Sequence, residues 1–222
     1  DTLNIKMQVD IPSVIQADMY ENGLIPHPYK SNVEPQLLWI PQHEWTYTLD
    51  FVAEDYILDE DVVELVFEGL DTYADVWFNG KKILHADNMF RTYSYDVKDI
   101  IKEKNNIKIK FYPFDKERDS LIETYRLRFP EKYAVMRKAA YQNGWDWAPR
   151  YMNMGIWQPV YLKAWTRSTI CSASVITKDI HDDKADLFFE ACINADVEHN
   201  ISLQLFQEGE KILDQNINLT KG

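Results

Sequence analysis

Short runs in which polar and apolar residues alternate recur along the chain, and this period of two is typical of half-buried β-strands. Every second residue is apolar over residues 45–51, 63–67 and 107–111, which predicts three strands. Residues 73–78 are followed by Asn79-Gly80 and then by a further apolar run. Because Asn-Gly tolerates the positive φ angles of a tight turn, this segment predicts a β-hairpin. The predicted fold class is therefore all-β.

Other stretches of the first 165 residues depart from this alternation. Prolines are too closely spaced in the first forty residues for long strands, so we expect a segment that wraps around the domain. One short helix is predicted there over residues 13–21, capped by Ser13 and ended by Asn22-Gly23. Residues 94–102 are compatible with one helical turn. From Phe114 to Met154 the pattern is irregular and dense in Arg, Tyr and Trp. Long irregular stretches in compact domains are usually functional or disordered, and the aromatic density here argues against disorder.

The remainder of the chain returns to strand patterns. Residues 156–165 predict a closing strand, residues 166–169 a linker, and residues 170–177, 185–194, 201–207 and 211–219 further strands, with a hairpin turn at 208–210. A sandwich of immunoglobulin type needs about seven strands. We therefore predict a first domain over residues 1–165 and the N-terminal, incomplete part of an immunoglobulin-like β-sandwich over residues 166–222.

Composition narrows the possible partners. A net charge of −12 with no cluster of Lys or Arg argues against nucleic acid, and no apolar run approaches the roughly 18 to 20 residues of a membrane span. Cys171 and Cys192 lack zinc-ligand spacing, and the scattered histidines lack metal-ligand spacing. We expect two buried free thiols, no metal site and no cofactor. Aromatic residues make up 14% of the chain, which suits β-sheet cores and sugar-stacking surfaces alike.

Within the irregular stretch, Trp145-Asp146-Trp147 is the strongest candidate for chemistry. A carboxylate can accept hydrogen bonds from sugar hydroxyls, and indole rings pack against the apolar C–H faces of a sugar. Alternatively, Asp146 caps a turn or pairs with Arg150 while the two tryptophans fill the core. The spacing alone supports both interpretations equally.

The motif is part of a longer pattern. Residues 144–150 followed by residues 155–160 resemble the N-terminal domain of β-mannosidases in glycoside hydrolase family two. Further matching segments extend the resemblance over about residues 8–165: residues 11–19, 23–29, 67–74, 79–80 and 87–91. The chain departs from the family pattern at Ser13, Gln16, Ala148 and Gln158, but not at Asp146.

The resemblance implies an architecture and a function. Its members carry a jelly-roll, galactose-binding-like sandwich, then an immunoglobulin-like sandwich, then a (β/α)₈ barrel that holds the two catalytic glutamates of a retaining mechanism. The barrel lies outside this chain, so no catalytic residue is assigned here. The resemblance places Asp146, flanked by Trp145 and Trp147, at the mouth of the barrel, where its carboxylate accepts hydrogen bonds from the terminal sugar.

Two functions follow as expectations. The first is the non-catalytic front end of an exo-β-mannosidase, with a β-mannoside or manno-oligosaccharide and its own barrel domain as partners; related members cleave β-galactosides, β-glucuronides or glucosaminides. The second is a free-standing carbohydrate-binding module. The incomplete second sandwich favours the first. The compartment stays open: periplasmic, extracellular or lysosomal if a signal peptide has been removed, and cytoplasmic otherwise.

Overall fold

The computed structural model describes residues 4–30, 32–126, 134–144, 146, 148–195 and 197–220. The chain divides into two compact units, Asp1–Asp59 with Val63–Lys163, and Glu60–Val62 with Ala164–Gly222. β-Strands dominate both units, so the all-β prediction is confirmed. Among the described residues, no helix is both long enough and apolar enough to cross a membrane.

Two sheets build the first unit. The strands are β1 Trp45–Val52, β2 Val62–Phe67, β3 Ala74–Phe78, β4 Lys81–Ala86, β5 Tyr93–Asp96, β6 Lys104–Phe111 and β7 Val160–Trp165. One sheet has the order β1-β6-β3-β4 and the other the order β5-β2-β7. The strands predicted from alternation are confirmed, and β7 begins later than expected, at Val160.

The register of the larger sheet explains why alternation was a reliable signal. Ile109 of β6 lies between Tyr47 of β1 and Val76 of β3, so the apolar positions share one face. Polar residues of the same strands occupy the opposite face. The fully buried core side chains come from both sheets and include Phe111, Phe78, Val76, Phe67, Leu65 and Val63.

The Asn79-Gly80 turn is formed as predicted. Asn79 has a φ of 49° and Gly80 a φ of 82°, the left-handed region that a tight hairpin requires. The Asn79 side chain also anchors the turn, because it donates to the carbonyl oxygen of Ile100 at 2.8 Å and accepts from the amide of Asn106 at 2.9 Å. Asn79 thus provides the backbone conformation of the turn and also ties the turn to the segment that contains Ile100 and Asn106.

Helices differ more from the predictions. They are α1 Ile15–Glu21, α2 Glu34–Leu37, α3 Asp55–Leu58 and α4 Phe114–Tyr125, with 3₁₀ turns at Ile40–Gln42 and Ala140–Asn143. The helix α1 ends at Asn22 as expected, but Ser13 as its cap is wrong, since the N-cap is Val14 and carries no side-chain cap bond. The predicted turn over residues 94–102 is wrong where it overlaps β5.

The helix α4 is absent from the sequence prediction, which treated residues 114–154 as irregular. Its only buried residue is Phe114. A helix that buries one side chain has no apolar stripe at the helical period, so the pattern that reveals amphipathic helices is missing. The helix ends at Arg126, whose φ of 49° is left-handed.

The second unit consists of two hairpins. They pair β8 Ser168–Ile180 with β9 Ala185–Ala195, and β10 His199–Gln207 with β11 Glu210–Leu219. All four predicted strands are confirmed, and β8 begins inside the predicted linker. Large apolar side chains of the hairpins are exposed, among them Ile170, Val175, Ile180, Leu187, Phe188, Phe206 and Ile212.

The expectation that Cys171 and Cys192 are buried is wrong. Both are free thiols, as predicted, but both are exposed. The reason lies in the sheet in which they sit: β8 and β9 form a two-stranded ribbon, and such a ribbon cannot bury the residues of both faces.

This exposure predicts the reactivity of the two thiols. In the native chain, Ellman's reagent should release two equivalents of chromophore per chain without denaturant, because both sulfur atoms are accessible. Cys171→Ser and Cys192→Ser should each remove one equivalent. Thiols that react only after unfolding would contradict the open ribbon.

Candidate functional site

Asp146 lies in a turn and is exposed to solvent. Within the described part of the chain, its carboxylate makes no hydrogen bond or ion pair. Trp145 and Trp147, the other two predicted site residues, lie outside the described residues, so their predicted contribution stays a prediction. What the structure does describe is how the loop that carries all three residues is held in place.

The base of this loop is narrow. Gly144 has a φ of 87°, and a Cβ atom built on it would lie 3.2 Å from Cβ of Arg150. Both the backbone conformation and the close approach favour glycine at this position. The two limbs of the loop, which are the segments before and after the turn, therefore come close together at Gly144 and Arg150. Asp146 lies in the turn between them.

A buried ion pair fixes the limbs. The ammonium of Lys138 contacts the carboxylate of Asp71, and each side chain is 1% exposed. The same ammonium donates to the carbonyl oxygen of Asn153, and the hydroxyl of Thr72 donates to Asp71. Gln142 donates to the second carboxylate oxygen of Asp71 at 3.0 Å and accepts from the amide of Asn153 at 2.9 Å. Residues on both sides of the Asp146 turn thus meet at one carboxylate.

The electrostatics of the pair follow from its burial. Removal from water lowers the pKa of the Lys138 ammonium below its usual value, and the adjacent Asp71 carboxylate acts in the opposite direction. Because three neutral donors and acceptors complete the hydrogen bonding of the two charged groups, the network avoids the cost of an unsatisfied buried charge.

The limb after the turn is tied down by backbone as well. Asp71 and Gly155 exchange amide-to-carbonyl bonds of 2.9 and 3.0 Å. A Cβ atom on Gly155 would lie 2.7 Å from the carbonyl oxygen of Ser13, so the absence of a side chain lets the two segments meet. Three bonds then join residues 13–16 to residues 152–156: Ser13 N to Ile156 O and Ile15 N to Met154 O, both 2.8 Å, and Gln16 Nε2 to Met152 O, 2.9 Å.

The limb before the turn is held by Met89, which is 3% exposed. The Met89 amide donates to the carbonyl oxygen of Arg137 at 2.9 Å, and its sulfur accepts from the amide of Ala139 at 3.0 Å. Its carbonyl oxygen accepts from the indole nitrogen of Trp157 at 3.1 Å. Both limbs therefore leave the sandwich from fixed positions.

Sequence reasoning missed this supporting set. Lys138 and Gln142 lie inside the irregular stretch of residues 114–154, and Asp71 lies in a segment of the resemblance, but Asp71 and Lys138 are 67 positions apart. A single buried Lys or Asp cannot be detected from the spacing of apolar residues along the sequence. No local spacing indicates the pair, because its two members meet only in the completed fold.

The arrangement suits binding rather than bond cleavage. It presents one exposed carboxylate on a loop whose base is rigid, which suits hydrogen-bond acceptance from hydroxyl groups. Among the described residues, no group of three or more His, Cys, Asp or Glu side chains could hold a metal ion.

The sequence of this chain is similar to the sequences of known proteins. The family model described as "Glycosyl hydrolase 2 galactose-binding domain-like" matches residues 2–158. The beta-mannosidase of Mus musculus is 29% identical over 175 residues, which are 73% of this chain and 20% of that protein. Beta-mannosidase A of Emericella nidulans is 33% identical over 172 residues, which are 72% of this chain and 18% of that protein.

Solved structures show the same fold. The β-D-mannosidase of Dictyoglomus thermophilum superimposes with a TM-score of 0.82 at 28% identity, over 96% of this chain and 27% of that chain. The exo-chitosanase of Amycolatopsis orientalis has a TM-score of 0.71 at 24% identity, over 97% of this chain and 24% of that chain, and shows a likeness of fold alone. The chain thus spans about a fifth of the length of its curated relatives and about a quarter of these solved structures.

The buried pair predicts a stability effect. Lys138→Met should lower the free energy of unfolding of the first unit by about 3–5 kcal/mol, because it leaves the Asp71 carboxylate buried and uncompensated. Urea unfolding followed by tryptophan fluorescence measures this loss. Lys104→Met, at an exposed position of β6, is the matched control and should change stability by less than about 0.5 kcal/mol. Equal stabilities for the two variants would show that the pair does not stabilise the first unit.

Proposed function

This chain belongs to the glycosyl hydrolase 2 galactose-binding domain-like family, and on that premise we propose that it is the non-catalytic N-terminal portion of a retaining exo-β-mannosidase. Its loop at Trp145, Asp146 and Trp147 contributes to the binding of the terminal β-mannose residue. The catalytic glutamates belong to a barrel domain outside this chain.

One observation carries the proposal: an exposed carboxylate, Asp146, sits at the turn of a loop whose two limbs are joined by the buried Lys138–Asp71 pair. Fixing both limbs lowers the entropy lost when a ligand binds to the turn. The relatives that match this part of the chain are named as beta-mannosidases, which supports a glycosidase as the parent protein and mannose as the sugar.

The chemistry assigned to the loop is recognition. The Asp146 carboxylate accepts hydrogen bonds from neighbouring hydroxyl groups of the terminal sugar, and the flanking indoles cover its C–H faces. Hydrolysis with retention requires a nucleophile and an acid/base, two carboxyl groups about 5 Å apart on either side of the glycosidic bond. The loop provides a single carboxylate and so acts on binding.

The second unit fits an incomplete immunoglobulin-like sandwich over residues 166–222. Its hairpins expose large apolar side chains such as Phe188 and Phe206, and exposed apolar side chains in this number are typical of a surface that another layer covers. This exposure favours a parent protein with further strands over a free-standing carbohydrate-binding module.

Because the proposal assigns catalysis to a separate domain, this chain alone should be inactive. The purified chain should release no nitrophenol from 4-nitrophenyl β-mannoside above a no-protein control, since both catalytic carboxylates lie outside it. The full-length parent enzyme assayed in parallel is the positive control. Turnover by the chain alone would overturn the assignment of catalysis to a separate domain.

The role of Asp146 predicts a kinetic effect in the full-length enzyme. Charge-assisted hydrogen bonds are worth about 1.5–3 kcal/mol each. Two such contacts, discounted for replacement by water, amount to roughly 2–4 kcal/mol, so Asp146→Ala should lower kcat/KM about 30-fold to 1000-fold. Asp146→Asn should recover little, because it removes the charge and adds a donor.

The control is Asp99→Ala, which removes a carboxylate from another exposed turn of the first unit. Its kcat/KM should match that of the wild type, and all variants should share one melting temperature. If Asp146→Ala stays within about threefold of the wild type, Asp146 does not bind the sugar.

A further inference from the structure

Four aromatic rings form a row: Tyr20 in α1, His27 and Tyr29 in the loop that follows α1, and Tyr151 beyond the Asp146 turn. The ring centroids of Tyr20 and His27 are 5.0 Å apart, those of His27 and Tyr29 are 6.2 Å apart, and those of Tyr29 and Tyr151 are 5.6 Å apart. The rings of each pair are inclined by 62° to 83°, an edge-to-face arrangement. Such contacts stabilise aromatic pairs beyond the area they bury.

Hydrogen bonds fix the part of this loop that carries Tyr29. The amide of Tyr29 donates to Nδ1 of His27 at 3.1 Å, and the amide of Lys30 donates to the carbonyl oxygen of His27 at 3.0 Å. The hydroxyl of Tyr151 donates to the carbonyl oxygen of Pro28. Tyr29 is therefore held by its own backbone and by the ring against which it packs.

The ring of Tyr29 is nevertheless open to solvent, with 75% of the residue exposed. Single exposed aromatic residues are common and usually have no function. Tyr29 differs because two other aromatic rings, His27 and Tyr151, pack against it. An ordered, exposed tyrosine ring is a flat apolar surface on which the C–H face of a neutral sugar ring can pack.

The position of Tyr29 relates it to the Asp146 loop. Tyr151, the ring that supports Tyr29, directly follows Arg150, and Arg150 touches Gly144 at the base of that loop. Tyr29 thus packs on the first residue beyond the base, within the same unit of the chain. The structural link between Tyr29 and the Asp146 loop therefore runs through Tyr151 and Arg150.

We propose that Tyr29 is a stacking platform for the sugar unit next to the terminal one, the ring on the leaving-group side of the bond that is cleaved. This subsite rests on the proposed function, because it takes Asp146 as the contact of the terminal sugar. Its ligand is a neutral pyranose, recognised by its apolar face, and Tyr29 acts on the choice of leaving group.

The test compares two substrates in the full-length enzyme. β-1,4-Mannobiose carries a second pyranose, whereas methyl β-mannoside carries only a methyl group in its place. Tyr29→Ala should lower the ratio of kcat/KM for mannobiose to kcat/KM for methyl mannoside about 3-fold to 10-fold, through KM, because only mannobiose loses a stacking contact. Tyr29→Phe should keep the wild-type ratio, since the ring alone makes this contact.

Tyr56→Ala is the matched control, because Tyr56 is 69% exposed and lies in α3 of the same unit. It should leave the ratio unchanged. A Tyr29→Ala ratio within a factor of two of the wild type, with an unchanged melting temperature, overturns the platform.

The two proposals fail in different ways. Asp146→Ala should lower kcat/KM for both substrates, and wild-type values of kcat/KM in this variant would overturn the proposed function. The ratio of the two kcat/KM values in Tyr29→Ala would still report on stacking. A wild-type enzyme that hydrolyses neither mannoside overturns both.

Discussion

The buried contact between Lys138 and Asp71 is the constraint on which the candidate site depends. Taking a carboxylate and an ammonium out of water is costly, and their attraction offsets this cost only when the remaining hydrogen-bonding positions are filled. Thr72, Gln142 and the backbone of Asn153 fill them here. A shift of either limb would leave one charge without a partner, so the network accepts a single arrangement of residues 138–142 and 153. Its main contribution is a defined geometry.

This geometry separates the residues that hold the loop from Asp146, which the loop exposes to solvent. The holding residues are buried, and Asp71, at which they meet, lies in the connection between β2 and β3. Asp146 takes no part in the network and faces solvent. Binding groups placed on loops need a rigid base to keep their orientation. The sandwich provides this base, and the turn is left free to meet a ligand.

Sequence patterns predicted the fold well where burial is periodic. The strand β6 was recognisable because one of its faces is buried, β1 because its half-buried and exposed residues largely alternate, and the Asn79-Gly80 turn because its backbone angles restrict the residues allowed. The helix α4 was not recognised, because it buries Phe114 alone. Asp146 was predicted as a site residue from the unusual grouping of its neighbours, and its role stays a prediction. The partnership of Lys138 with Asp71 was not, because a pair formed across 67 positions depends on the completed fold.

The two hairpins of the second unit also determine how this chain behaves at high concentration. An exposed strand edge presents unpaired amide and carbonyl groups to any other strand, and apolar side chains beside that edge add a driving force for association. Ile180, at the end of β8, is 75% exposed, and Phe206 of β10 is 56% exposed. During synthesis on the ribosome, these ribbons emerge after the first unit is complete. Self-association of this chain is therefore expected to begin at these ribbons.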